Sequence, residues 1–237
     1  MNELQYLLPF EMNLEMALAL TGGLSNPDKM PCKAYALPTE ACKKGWKLRN
    51  SEGDSVMAAL DYICKKCYAK GHHFTTGIVN VKMVERLLSL KNPQWEEAMA
   101  FLLNFIESKD VFRWHDSGDL QGVWHLRNIA SVARMTPSVS HWLPTIEYDM
   151  VEDYLNDGGV IPKNLHIMLS AEVIDKPEEV RRIAKRLNKN SLVKNKMGIS
   201  WVTRNKELAT CEATTIRKRC EHCRLCWNVM ETVYYLH

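Results

Sequence analysis

The chain has 237 residues, of which 46% are hydrophobic and 25% charged, and its net charge is +3. This length suits one large domain, or one domain with a smaller appendage. The ordinary charged fraction argues against a disordered or fibrous protein, and the small net charge does not indicate a dedicated nucleic-acid binder.

The sequence carries no sign of export or of membrane insertion. Residues 1–20 include Glu3, Glu11 and Glu15 and lack the positive start of a signal peptide. No apolar run approaches the roughly 20 residues that span a bilayer. We therefore expect a cytoplasmic protein with no membrane partner. In that reducing compartment, clustered cysteines favour metal binding over disulfides.

The first half of the chain combines a polar stretch with helical segments. Residues 24–56 are loop-rich and contain Cys32 and Cys42. Apolar periodicity then predicts helices at 55–62, at 77–90, and from Asn92-Pro93 through Ile106.

From Val111 onward, short apolar strands alternate with amphipathic helices. The predicted strands are 111–114, 139–143, 165–169 and 198–202, and the predicted helices are 120–134, 149–155 and 177–187. Strands that begin about 26 to 33 residues apart indicate βαβ units and a parallel sheet. We expect an α/β fold that forms a full or partial TIM-like (β/α) barrel. This domain would span residues 1–210, with a cysteine loop at 32–69, and a cysteine-rich tail at 211–237 would pack on it.

The tail has the cysteine spacing of an iron–sulfur site. Its cysteines are Cys211, Cys220, Cys223 and Cys226. Three cysteines at intervals of three residues, with a fourth at a distance, are typical of [4Fe–4S] ligation. A short loop of this kind can offer thiolates to three corners of the cubane. The basic residues near these cysteines would offset the negative charge of the cluster: Arg217, Lys218, Arg219 and Arg224.

Structural zinc is the alternative occupant. Zinc prefers two Cys-x2-Cys knuckles, which the pairs Cys64/Cys67 and Cys220/Cys223 would supply. That pairing leaves two of the tail cysteines unused, so the spacing favours iron–sulfur.

A second group comprises Cys42, Cys64 and Cys67, with Cys32 nearby. Three thiolates can hold a cubane and leave one iron open to an exogenous ligand, whereas four would close it. The chain would accordingly hold one or two clusters.

Polar side chains follow the predicted strand at 111–114 and come before a helix. They belong to the run His115, Asp116, Ser117, Gly118 and Asp119. Barrel enzymes keep their chemistry at the carboxyl ends of their strands, so we predict that this run binds a cofactor. The competing interpretation is that one of its side chains only caps the helix near Leu120.

Four stretches together resemble the bacteriophage "gene product 88" family. They are Cys64-Lys-Lys-Cys67-Tyr68-Ala69, Phe112 to Gln121, His141-Trp-Leu-Pro-Thr145, and Cys220-x2-Cys223-x2-Cys226-Trp227. The likeness extends from about Met30 to His237. It implies a phage protein in the host cell cytoplasm, without specifying an activity. Two positions depart from the family pattern: Cys32, where glycine is expected, and Ile146, where arginine is expected. Cys32 is therefore left out of the predicted ligands.

The chain is also loosely similar to radical SAM enzymes. Those enzymes carry three cluster cysteines after the first barrel strand, and polar residues after the second strand contact S-adenosylmethionine. Cys42, Cys64 and Cys67 followed by Ser117-Gly118-Asp119 match this order, although the usual Cys-x3-Cys-x2-Cys spacing is absent. The resemblance implies S-adenosylmethionine as a candidate cofactor, with Asp119 accepting from its ammonium.

The leading hypothesis is thus an iron–sulfur protein with radical-SAM-like or redox chemistry that acts with a small molecule or a reductant. Its catalytic residues are not predicted. The alternative is a non-enzymatic module with structural clusters or zinc. The basic helix at 177–187 of such a module would contact nucleic acid or a host protein.

Overall fold

The centre of the fold is a six-stranded, fully parallel sheet. The computed structural model describes residues 12–51, 59–71, 74, 76–105 and 110–236. The strands are β1 (Ala34–Tyr35), β2 (Val111–Trp114), β3 (Ser140–Thr145), β4 (Leu165–Ser170), β5 (Gly198–Thr203) and β6 (Glu231–Tyr235). Each strand pairs in parallel with the next one along the chain, in the order β1-β2-β3-β4-β5-β6.

Helices precede the sheet, connect its strands and contribute to its tail. They are α1 (Leu14–Thr21), α2 (Lys43–Arg49), α3 (Gly77–Ser89), α4 (Trp95–Asn104), α5 (Val123–Met135), α6 (Tyr148–Asn156), α7 (Glu178–Leu187), α8 (Glu212–Thr215) and α9 (Leu225–Asn228). None of the helices in the described ranges is long and apolar enough to cross a membrane.

Alternation along the strands separates two apolar cores on opposite faces of the sheet, because successive strand side chains point to opposite faces. Phe112, Leu143 and Ile167 face the larger core under the connecting helices. Val111, Trp142 and Met168 face a smaller core, which the tail covers with the buried side chains of Cys226 and Trp227. We call this second side of the sheet the tail face.

The structure confirms the parallel α/β fold and the four predicted strands, whose ends all lie within two residues of the predicted ones. A closed barrel is not formed by the described strands, since β1 and β6 are the two edges of an open sheet. Both edge strands were missed by the sequence prediction. In particular, the tail joins the sheet through β6.

The helix predicted at 55–62 falls partly outside the described residues. Residues 55–58 are not described, and residues 59–62 form a turn, a bend and an isolated bridge. The other predicted helices are present, but the helix predicted from 120 begins at Val123.

Candidate metal centres

The first group of cysteines comes from two separate segments. Cys42 directly precedes α2, Cys64 lies in a 3₁₀ turn at Ile63–Lys66, and Cys67 directly follows that turn. Gly45 in α2 allows the close approach, because a Cβ there would lie 3.2 Å from Cys42 Cβ and 3.3 Å from Cys64 Sγ. Thiols distant in sequence are therefore brought together.

Burial and nearby negative charge favour the protonated thiols of Cys42 and Cys64 when no metal is bound. Burial, followed by the nearby Asp119 carboxylate and the other two cysteines, raises the pKa of Cys42 far above its ordinary range. Burial, followed by Cys67 and Asp119, raises the pKa of Cys64 to about 12. A cation bound among them would reverse this balance, because metal ligation requires the thiolate.

Main-chain and ionic contacts fix α2 at the carboxyl ends of β3 and β4. The Lys44 amide donates to Glu147 Oε1 at 2.7 Å, and Glu147 follows β3. Lys44 Nζ lies 2.5 Å from Glu172 Oε1, just beyond β4, and 4.3 Å from the centroid of the Tyr148 ring. This is the edge of a parallel sheet where ligands bind in α/β folds.

The segment that carries Cys64 and Cys67 reaches the same edge. The Ile63 amide donates to the Glu172 carbonyl at 2.8 Å, and the Ile174 amide donates to the Asp61 carbonyl at 3.0 Å. All three cysteines of the first group are thus held at the carboxyl edge of the sheet. We call Cys42, Cys64 and Cys67 the edge site.

Asp119, which the sequence predicted to bind a cofactor, clamps two strand ends. Its Oδ1 accepts from the Leu120 amide at 2.7 Å and from Thr145 Oγ1 at 2.6 Å, and its Oδ2 accepts from the Ile146 amide at 3.1 Å. Asp119 is 7% exposed, and burial raises its pKa to about 7. The carboxylate is close enough to the edge site to influence its thiols, although most of its hydrogen-bonding capacity is used within the fold.

The glycine next to this clamp is required by both backbone conformation and space. Gly118 has φ +83°, a left-handed conformation that strains other residues. A Cβ at this position would lie 2.5 Å from Leu37 Cβ. The loop after β2 can therefore pass closely over the segment that follows β1.

The rest of the predicted cofactor run is buried as well. His115 has φ +52° and is 3% exposed, and neither of its ring nitrogens has a hydrogen-bond partner. Burial, followed by His125 and Arg113, lowers the pKa of His115 well below its ordinary value. Asp116 Oδ1 accepts from Ser25 Oγ at 3.0 Å. Ser117 Oγ is buried without a partner.

The four tail cysteines form a second group on the tail face. Cys211, Cys220 and Cys223 lie within electrostatic range of one another, and Cys226 lies within range of Cys211 and Cys220. Burial raises the pKa of Cys226 to about 12, an effect that the Tyr234 hydroxyl at 3.3 Å from its Sγ partly opposes. We call these four residues the tail site.

Trp227 and the chain near Cys220 fasten the tail site to the sheet. Trp227 Nε1 donates to the Phe112 carbonyl at 2.9 Å, and the Trp227 and Trp142 ring centroids are 5.3 Å apart. The Cys220 amide donates to the Lys29 carbonyl at 2.8 Å. Trp227 therefore shields the tail site from water on the side of the sheet.

Cys32 packs in the tail-face core beside Cys226 and Trp227 and is 3% exposed. Cys32 is therefore not part of the edge site, although its position in the sequence suggested that it would lie near those cysteines. Its omission from the predicted ligands stays a prediction.

Neither site has the geometry expected around a single metal ion. Among the described residues, no group of three or more His, Cys, Asp or Glu side chains converges on one point as the ligands of an ion do. Zinc requires four such ligands at about 2.0–2.3 Å. A cubane needs thiolates that are further apart, since its own irons and sulfides occupy the space between them.

The basic helix of the alternative hypothesis is α7, and several of its cations are already paired. Arg181 lies 2.5 Å from Glu231, and Arg182 and Arg186 contact Glu179 and Glu152. This pairing reduces the positive field that would attract a phosphate backbone.

Fold and cysteines together define a cysteine-rich α/β protein with thiol groups at the edge and on one face of a parallel sheet. A family model described as gene product 88 matches residues 9–229, so the chain belongs to the gene product 88 family. No curated protein and no solved structure matches the chain.

Proposed function

We propose that this protein is an iron–sulfur protein with a [4Fe–4S] cluster at the edge site and a second cluster at the tail site. The observation that carries the proposal is that Cys42, Cys64 and Cys67, from separate segments, lie near one another at the ligand-binding edge of the sheet. Seven clustered thiols, of which Cys226 is buried and the others are half-buried, form a donor set suited to iron–sulfur ligation.

The edge site differs from the tail site in its number of thiols. Three cysteines meet at the edge, whereas Cys32 packs on the tail face with Cys226. A cubane held by three thiolates keeps one iron available to an exogenous ligand. The edge cluster would supply one-electron chemistry to a small molecule at that iron, and the tail cluster would store or relay electrons.

S-adenosylmethionine is the first candidate for this small molecule, because its amino and carboxylate groups can chelate an open iron. The chain's own residues would orient such a ligand. Lys44 offers a cation next to Tyr148 and Glu172, while Asp119 holds the ends of β2 and β3 in place and adds negative charge. The sequential parallel sheet and the position of the cysteines beyond its first strand favour this assignment.

Metal analysis of anaerobically purified protein tests the proposal. We expect brown protein with acid-labile sulfide and about eight irons per chain, since each [4Fe–4S] cluster contributes four. Cys64→Ser and Cys223→Ser should each lower the count to about four. Cys32→Ser is the matched control and should leave it unchanged. Stoichiometric zinc without sulfide, in protein expressed with ample iron, would refute the cluster assignment.

The exogenous ligand is tested by electron paramagnetic resonance of the reduced protein. Millimolar S-adenosylmethionine should change the spectrum of wild-type protein and of Cys223→Ser, but not that of Cys64→Ser. An unchanged spectrum in protein with full, reduced clusters would favour the non-enzymatic module. That module would bind nucleic acid or a host protein through surfaces such as α7, and retardation of labelled DNA or RNA would detect the former.

A further inference from the structure

Arg113 is a cation on the tail face of the sheet. It lies in β2 two residues after Val111, so its side chain points to the same face as the tail core. Its guanidinium is 4.6 Å from the centroid of the Trp142 ring. Nη2 donates to Tyr68 Oη at 3.3 Å, and Nη1 approaches Met30 Sδ at 3.6 Å. Arg113 Nε is buried and has no hydrogen-bond partner.

This cation has no carboxylate partner at ion-pair distance in the part of the chain that the structure describes. Asp116 is near enough to interact with it, but Asp116 Oδ1 accepts from Ser25, and burial raises the pKa of the Asp116 carboxyl. Arginine does not deprotonate in proteins. Because a charge that is partly removed from water is costly without a counter-ion, the half-buried position of Arg113 favours an anion beside it.

Met30 links the Arg113 guanidinium to the tail site. Met30 Sδ, which contacts the guanidinium, lies 3.8 Å from Cys220 Sγ. Arg113 is also close enough to Cys220 and Cys226 to interact electrostatically with both thiols. Its positive charge therefore lies beside residues that would carry negative charge when they bind metal.

The basic residues of the tail are less well placed for this role. Arg217 pairs with Glu212 at 2.8 Å and is exposed. Arg224 lies 3.8 Å from Asp110 and donates to the carbonyls of Glu221 and Cys223. Lys218 and Arg219 are exposed, so water screens their charges.

We propose that Arg113, on the tail face of the sheet, is the counter-ion of a metal centre at the tail site. This inference rests on the proposed function only in requiring that the tail site binds metal through thiolates. Four thiolates leave a [4Fe–4S] cluster or a zinc ion with a net negative charge. A fixed guanidinium beside such a centre offsets this charge, strengthens metal retention and makes reduction of a cluster easier.

The test compares three variants of the full chain, purified anaerobically. Arg113→Gln removes the charge, Arg113→Lys keeps it, and Arg224→Gln removes a charge from the outer side of the same site. We measure the rate at which a chelator removes metal from the tail site in a Cys64→Ser background, and the midpoint potential of the remaining cluster.

Arg113→Gln should release tail metal at least about tenfold faster, because a charge beside a partly buried site is screened less by salt and water than an exposed charge. Its cluster should have a more negative midpoint potential. Arg113→Lys and Arg224→Gln should stay close to the parent protein in both measurements.

Two results would overturn the counter-ion role. One is an unchanged release rate and potential in Arg113→Gln. The other is equal metal loss in Arg113→Gln and Arg113→Lys, which would mean that the shape of the side chain matters and its charge does not. Zinc in place of iron would refute the proposed cluster but not this inference, because zinc release then provides the same comparison.

Discussion

His141 provides a quantitative test of how the β2–β3 region is held together. The imidazole is fully buried in the larger core. Its Nδ1 accepts from Trp114 Nε1 at 3.2 Å, and its Nε2 lies 2.8 Å from Thr136 Oγ1, which donates to the Val132 carbonyl. These partners fit only the neutral ring with its proton on Nε2, because a proton on Nδ1 would face another donor.

Protonation of His141 should therefore oppose folding. Burial lowers its pKa from 6.5 to about 3. Below pH 6.5 His141 binds a proton in the unfolded chain but stays neutral in the native chain. Its contribution to the free energy of unfolding is therefore fully present above pH 6.5 and declines as the pH falls toward 3. At pH 5 the loss is about 2 kcal/mol, since each pH unit below 6.5 costs about 1.4 kcal/mol.

Urea unfolding at pH 7 and pH 5, followed by tryptophan fluorescence, measures this loss. His141→Gln should be less stable than wild type at pH 7, because its amide cannot reproduce both ring contacts. Its further loss between pH 7 and pH 5 should be smaller than that of wild type by about 2 kcal/mol. His222→Gln, at an exposed position, should keep the wild-type pH dependence. An equal pH-dependent loss in wild type and His141→Gln would refute the reasoning.

Two further substitutions test, one each, metal binding at the edge site and the stability of the fold. Gly45→Ala should lower the iron content of the edge site, because its Cβ would crowd Cys42 and Cys64, even though alanine favours the helix by up to about 1 kcal/mol. Gly77→Ala, where a Cβ meets nothing within 4 Å, is the control and should leave iron unchanged. Asp119→Asn should cost roughly 1–3 kcal/mol in urea unfolding, since an amide NH₂ would face the Ile146 amide donor. Wild-type stability of Asp119→Asn would contradict the clamp.

The interior of the sheet could be predicted from sequence because its strands are continuous apolar runs. Residues 165–169 are buried on both faces and read as a strand without tertiary information. The edge strands lack that signal. β1 has two residues, and β6 reads Glu-Thr-Val-Tyr-Tyr directly after a cysteine loop. Only their pairing with β2 and β5 makes them strands.

The grouping of the tail cysteines could be predicted in the same way, because their spacing is a local property. The residues that surround the two cysteine sites could not be predicted. Lys44 lies in a basic helix and Glu172 in a loop, and nothing in the sequence indicates that they meet at 2.5 Å. Arg113 reads as one polar residue in an apolar strand. The signal that could have identified it is strand alternation, which places it on the same face as Val111.

The two cysteine groups differ in what each contributes to the fold. The tail site lies between α8, α9 and β6, and the Thr210 and Cys211 amides both donate to the Val233 carbonyl at 3.0 Å. Metal at the proposed tail centre would tie the last strand to the sheet, so much of its binding energy would be folding energy. The edge site lies beyond the strand ends, where α2 and the Cys64 segment are held by contacts such as Lys44–Glu172 that do not depend on metal. A centre whose surroundings are already in place can bind and release ligands without unfolding its support, which favours the edge site over the tail site as the place where the proposed chemistry would occur.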